Sequence, residues 1–249
     1  MKVIYHPRYK EVYASDPAAH SGRMESILKE ISPHFELVTP EPASVEDIKL
    51  VHSDWHIENI KRHPLLYEIA LLSAGGAIRA AELAVSGEPA FGLIRPPGHH
   101  ASPDHCWGFC FFNNIALSIA RLRVEGVVSR AAILDFDLHF GDGTDHFFSD
   151  VPEVTYFHPE HRDRQGFVDS IASFLEGQEA DIIAVSAGFD RHEEDWGGQL
   201  KTEDYQEIGK LVKEFSERAC QGRRYGVLEG GYNHAVLGRN VRAFVEGLS

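Results

Sequence analysis

The segment Ala132-Ile133-Leu134-Asp135-Phe136-Asp137-Leu138-His139-Phe140-Gly141-Asp142-Gly143 runs an apolar strand pattern into three acids and a histidine before the chain turns at glycine. Alternation along an extended backbone points Asp135, Asp137 and His139 to one face. Burying three such side chains is unfavourable unless something offsets it. A divalent cation does so, because carboxylate oxygen and imidazole nitrogen are ligands that Zn²⁺ accepts, with one position left open for water at a catalytic centre. An Asp-x-Asp pair alone also occurs in solvated turns and helix caps, so the reading depends on what else the chain offers.

It offers Gly188-Phe189-Asp190, Arg95-Pro96-Pro97-Gly98-His99-His100 and Glu229-Gly230-Gly231-Tyr232. Asp137, His139 and Asp190 make a set of two carboxylates and one imidazole, which accepts Fe²⁺ as well as Zn²⁺. A metal held there lowers the pKa of a bound water and polarises a carbonyl. Asp190 is not read as a helix cap, because residues 191–198 look like a loop and Thr202 is the better N-cap of the next helix. His99 and His100 follow a stiff Pro-Pro-Gly turn and point in different directions, so one can orient while the other reacts. Each needs an acceptor on Nδ1, and Asp135 and Asp142 are the candidates. Tyr232 could donate to an oxyanion forming at the metal, or simply pack while the glycines serve a turn.

These residues fall at the ends of apolar, strand-like runs: 2–5, 91–94, 131–137, 154–157, 181–187 and 225–228. Helical patterns lie between them at 22–31, 45–51, 55–61, 65–85, 113–124, 167–175, 202–220 and 235–247. Alternating strands and helices with near-continuous apolar strands imply a mostly parallel central sheet in a three-layer α/β sandwich. Ligands in such sheets bind beyond the carboxyl ends of the strands, which is where the polar residues collect.

At 249 residues and 43% hydrophobic, the chain reads as a single domain, 1–249, with a large core. Its net charge of −14 comes with no basic stripe for a nucleic-acid backbone; it is compatible with steering a cationic substrate, although solubility alone accounts for it. Cys106, Cys110 and Cys220 form no Cys-x-x-Cys pair, which suits a reducing compartment. The start lacks a signal-peptide core and no apolar run approaches the ~20 residues of a membrane span. A soluble, cytoplasmic protein is expected; its oligomeric state is not legible.

Taken with Tyr5-His6-Pro7-Arg8-Tyr9, Gly22-Arg23-Met24 and Gly108-Phe109-Cys110-Phe111-Phe112-Asn113-Asn114, these motifs resemble the histone deacetylase and acetylpolyamine amidohydrolase family over nearly the whole chain. Arg-Pro-Pro-Gly-His-His looks like the branch holding bacterial amidohydrolases and class II deacetylases. The resemblance implies the arginase/deacetylase α/β sandwich. It also implies Asp137, His139 and Asp190 as Zn²⁺ ligands, with His100 as general base and acid, His99 as an electrostatic partner, and Asp135 and Asp142 as their carboxylates. Tyr232 would polarise the scissile carbonyl, Gly108 and Phe109 would line the acyl-lysine channel, and Arg23 would be associated with acetate exit.

The chain departs from the family in two places. After 154–157 the usual long Gly/Pro-rich loop, which carries a second aromatic wall and helps hold a monovalent cation, is replaced by His158-Pro159-Glu160-His161-Arg162-Asp163. A more open site is therefore expected, with the facing wall missing or supplied otherwise. The serine usual after that strand is not evident, which leaves the structural K⁺ near Asp135 open. Glu194-Asp195-Trp196 stands where family members have Gly-Asp-Pro, and Gly197 matches the slot of a polyamine-selecting glutamate.

The expected activity is zinc-dependent removal of an acetyl or other short acyl group from an amine: acetyl-lysine, an acetylpolyamine or a small acylated amine. The alternatives are an arginase-like ureohydrolase with two Mn²⁺ ions, disfavoured by Phe136, Phe140 and Tyr232, and a non-hydrolytic binder of acylated amines.

Overall fold

The structure is a computed structural model and describes residues 1–249. Seven strands form one sheet: β1 (Lys2–Ile4), β2 (Glu36–Val38), β3 (Ala90–Gly92), β4 (Ala131–Asp135), β5 (Val154–Phe157), β6 (Ile182–Ala187) and β7 (Arg224–Leu228). Their order is β2-β1-β3-β7-β6-β4-β5, and every neighbouring pair is parallel. All carboxyl ends therefore share one edge. β4, β6 and β7 are buried along their whole length, as expected for strands covered on both faces.

Helices α1 (Arg23–Ile31), α7 (Arg164–Glu176), α8 (Thr202–Ala219) and α9 (His234–Leu248) pack together as one outer layer. Helices α2 (Val45–Ile48), α3 (Asp54–Lys61), α4 (Pro64–Val85), α5 (Asn114–Val124) and α6 (Asp142–Phe148) form the other. α4 lies against β1, β3 and β7, and α8 against β6 and β7. No helix is long and apolar enough to cross a membrane. Buried Arg95, just past β3, ties the N-terminal segment down by donating to the carbonyls of Glu11, Ala18 and His20.

The structure corrects several local expectations. β4 stops at Asp135, two residues earlier than its apolar pattern suggests, so strand alternation does not bring Asp137 and His139 together. Side chains turn the backbone instead: Asp135 Oδ1 accepts from the Asp137 amide (3.1 Å), and Asp137 Oδ1 accepts from the His139 amide (2.9 Å). The hydroxyl of Thr202 is committed to Asn240 of α9 (2.6 Å), so it cannot cap α8. Lys201 takes the cap position, and its amide donates to Asp204 (2.7 Å). β2 and α6 are additional elements, the first a three-residue, mostly exposed edge strand.

Candidate active site

The ends of β3, β7, β6 and β4, four consecutive strands of the sheet, meet around a cavity of about 310 Å³. His99, His100, Trp107, His139, Trp196 and Tyr232 form most of its wall.

Asp137, His139 and Asp190 place one ligand atom each within 4.8 Å of one another. His139 Nδ1 faces both carboxylates, 3.2 Å from Asp137 Oδ1 and 3.3 Å from Asp190 Oδ2. The loops hold each acid by its other oxygen. Asp137 Oδ2 accepts from Gly230 N (2.8 Å), and Asp190 Oδ1 accepts from Leu138 N (3.1 Å). Asp190 Oδ2 is left buried with no well-directed hydrogen bond. Bonds from Asp137 and then Asp190 push the His139 pKa up to about 10, and burial beside Asp137 pushes Asp190 up to about 6. Two buried acids, an orphaned oxygen and an imidazole carrying the compensating charge are a donor set short of a cation, and they fit a divalent metal.

The tandem histidines have separate carboxylates. His99 Nδ1 donates to Asp135 Oδ2 (3.0 Å), and His100 Nδ1 donates to Asp142 Oδ1 (2.7 Å). Asp135 Oδ2 also accepts from the Tyr156 hydroxyl (2.9 Å), which in turn accepts from Gly141 N (2.9 Å). Burial opposes charge on His99, but Asp137 and Asp135 outweigh it and hold the pKa well above the usual range. Burial, then the neighbouring His99, pushes His100 down to about 4. One ring is thus disposed to be charged and its neighbour neutral, and neutral His100 is the one able to accept a proton.

Tyr232 hangs from a turn whose amides at Tyr232 and Asn233 both donate to Asp195 Oδ2 (2.8 Å each). Its ring lies 4.1 Å from Trp196 and edge-on to Phe109 at 5.9 Å. Gly230 must lack a side chain, since a Cβ would stand 2.6 Å from Asp137 Oδ2. Gly108 is equally constrained, with φ +58° and His100 Cδ2 2.3 Å from any Cβ, and Phe109 follows it at φ +67°. Gly108 and Phe109 both line the cavity. Arg23 does not: it lies buried behind Tyr232, donating to the carbonyls of Gly231 (2.9 Å) and Glu229 (2.6 Å), and braces the turn.

Sequence reasoning missed four contributors. Trp107 and Trp196, each about half exposed, supply aromatic walls to the cavity in place of the absent loop. Tyr156 supports Asp135. Glu229, fully buried, accepts from the amides of Gly98 (2.7 Å) and His99 (3.3 Å) and fixes the Pro-Pro-Gly-His-His turn. Only the Trp types, uncommon and set beside the glycine-flanked motifs, carried a signal. A larger apolar hollow of about 550 Å³ beside Leu50, Val124 and Phe147 holds no cluster of ligand-type side chains.

The histone deacetylase domain model matches residues 62–167 and 164–248. The chain belongs to the histone deacetylase family. The two matched segments of this family member meet at 164–167, next to the shortened loop. Its sequence is 33% identical to a probable deacetylase of Methanothermobacter thermautotrophicus, covering 100% of this chain and 90% of the relative. It is 31% identical to a histone deacetylase-like amidohydrolase of Pseudomonas aeruginosa, covering 91% and 74%. The polyamine deacetylase HDAC10 of Mus musculus is 27% identical over 83% of this chain and 40% of its own length. The solved HDA15 HD domain superposes with a TM-score of 0.85 at 21% identity, covering 99% of this chain and 88% of that one, so the histone deacetylase fold is shared.

Proposed function

We propose that this deacetylase-family hydrolase removes an acetyl or other short acyl group from an amine, using a divalent metal held by Asp137, His139 and Asp190, with zinc as the first candidate. The observation that carries this reading is the pairing of each tandem histidine with its own carboxylate while both rings face the cavity that His139 and Tyr232 also line. When bound, the metal supplies Lewis acidity, activating water and polarising the amide carbonyl.

The remaining work falls to the chain. Asp142 fixes the His100 tautomer with the proton on Nδ1, leaving Nε2 to take a proton from the attacking water and to return it to the leaving amine. His99, carrying positive charge against Asp135 and Asp137, favours negative charge developing nearby. The Tyr232 hydroxyl makes no hydrogen bond to protein and is available to the substrate carbonyl. The half-exposed Trp107 and Trp196 shield the reacting atoms while leaving the mouth open.

The test is a panel of acyl-lysine peptides and acylpolyamines, of varied acyl length, against protein reconstituted with Zn²⁺ or Fe²⁺. Hydrolysis of at least one class is expected. Tight hydroxamate binding with no turnover on any member would favour a non-catalytic binder.

A further inference from the structure

We infer that Arg191 is a positioning residue that supplies a built-in cation to the metal-ligand segment, where a chain without it would need a bound monovalent ion. The inference rests on the metal-site reading above and concerns how that site is held.

Beyond β4, the carbonyls of residues 136–138 leave the sheet ladder. Those of Phe136, Asp137 and Leu138 converge with that of Pro159, from the shortened loop after β5. Buried carbonyl oxygens brought together repel one another and require a positive partner. Arg191, buried, provides it. Nε donates to Phe136 O (3.2 Å) and Asp137 O (3.0 Å), and Nη2 donates to Leu138 O (3.4 Å), Pro159 O (3.2 Å) and His158 Nε2 (3.0 Å). Nη1 donates to Gln199 Oε1 (3.2 Å), and the Phe167 ring covers the guanidinium with its centre 4.6 Å from Cζ.

Both ends of this residue bear on candidate metal ligands. Its backbone follows Asp190 directly, and its side chain grips the peptide of Asp137. The planar guanidinium, charged at all working pH, fixes several directions at once. A ring of carbonyl oxygens is also the arrangement that replaces the hydration shell of a monovalent cation. With the guanidinium seated there, K⁺ and Na⁺ have no role left in shaping the segment. The short loop fits the same account, since it is what carries Pro159 O and His158 to the guanidinium.

The experiment measures Zn²⁺ affinity by chelator competition, without substrate, at constant ionic strength in KCl, NaCl or tetramethylammonium chloride. Wild-type affinity is expected to be the same in all three salts. Arg191→Ala should bind Zn²⁺ on the order of 10-fold more weakly in tetramethylammonium, with recovery in KCl or on adding millimolar guanidinium. Arg191→Lys, which keeps the charge but loses the fork, should fall between and covers the case in which the alanine variant does not fold. The inference is overturned if the wild type loses affinity when K⁺ is withdrawn. It is equally overturned if folded Arg191→Ala binds Zn²⁺ like the wild type in tetramethylammonium, or if its loss is recovered by neither cation. Because turnover is not read, failure to hydrolyse acyl amines would overturn the proposed function and leave this result standing.

Discussion

Trp107 Nε1 donates to Asp142 Oδ2 at 2.9 Å, while the other oxygen of the same carboxylate receives His100 Nδ1 and the Trp107 ring lies 3.9 Å from the His100 ring. The indole thus touches both members of the candidate acid–base pair and lines the cavity as well. Burial works against the charge on Asp142, but the bonds from His100 and Trp107 overcome it and hold the carboxyl below its usual range. Trp107→Phe keeps the ring and removes the donor. Steady-state kinetics on the best acyl amine should show kcat falling about 10-fold, the scale of a hydrogen bond to a charged group, with KM little changed. A KM effect alone would reduce Trp107 to a substrate wall.

Tyr232 is expected to act through its hydroxyl. Tyr232→Phe should retain the stacking on Trp196 and the metal content while losing roughly 100-fold or more in kcat, the scale of an oxyanion donor. Metal analysis alongside turnover checks this, and an unimpaired rate would remove the phenol from the chemistry.

His139 is the one imidazole among the three candidate ligands, and its side chain is 39% exposed. His139→Ala leaves two buried acids facing each other with no compensating imidazole. The purified variant should carry little divalent metal and unfold at a lower temperature, because Asp190 must then be protonated or strained. A metal-to-protein ratio equal to that of the wild type would exclude His139 from the ligand set.

His52 sets a pH dependence away from the site. Its Nε2 accepts from Asn113 N (2.9 Å), so the proton sits on Nδ1, which donates to Ser102 O (3.0 Å). Burial, then His56, pushes its pKa down to about 3, against about 6.5 in an unfolded chain. Between those values the unfolded state binds a proton that the folded state refuses, so stability falls as pH drops through about 6.5 and continues to fall towards 3. In urea titrations from pH 7 to 5, His52→Gln should start less stable than wild type but decline less steeply. Parallel declines would discard this role.

Much of the site was legible because its parts are short and local. Gly-Phe-Asp, Pro-Pro-Gly-His-His and Gly-Gly-Tyr each end a strand, and parallel strands deliver their ends to one edge. What escaped reading depends on contacts between distant loops. Nothing near Trp107 in sequence announces Asp142, and nothing near Arg191 announces the carbonyl of Pro159. The early end of β4 escaped for another reason: Phe136 and Leu138 continue an alternating pattern, while side-chain oxygens, invisible to periodicity, bend the backbone. β2 was too short and too exposed to leave an apolar signature.

β7 lies between β3 and β6 although it is the last of the seven strands to be translated. Without it, β2-β1-β3 and β6-β4-β5 would share no strand pairing, and each three-stranded set would present a bare edge. The tandem histidines hang from one and the candidate metal ligands from the other. The two halves of the site are therefore joined only through the pairing of β7 with both β3 and β6, which brings Gly230 and Tyr232 with it. Stalled or truncated chains would carry both open edges and no working half, a hazard of pairings so distant in sequence.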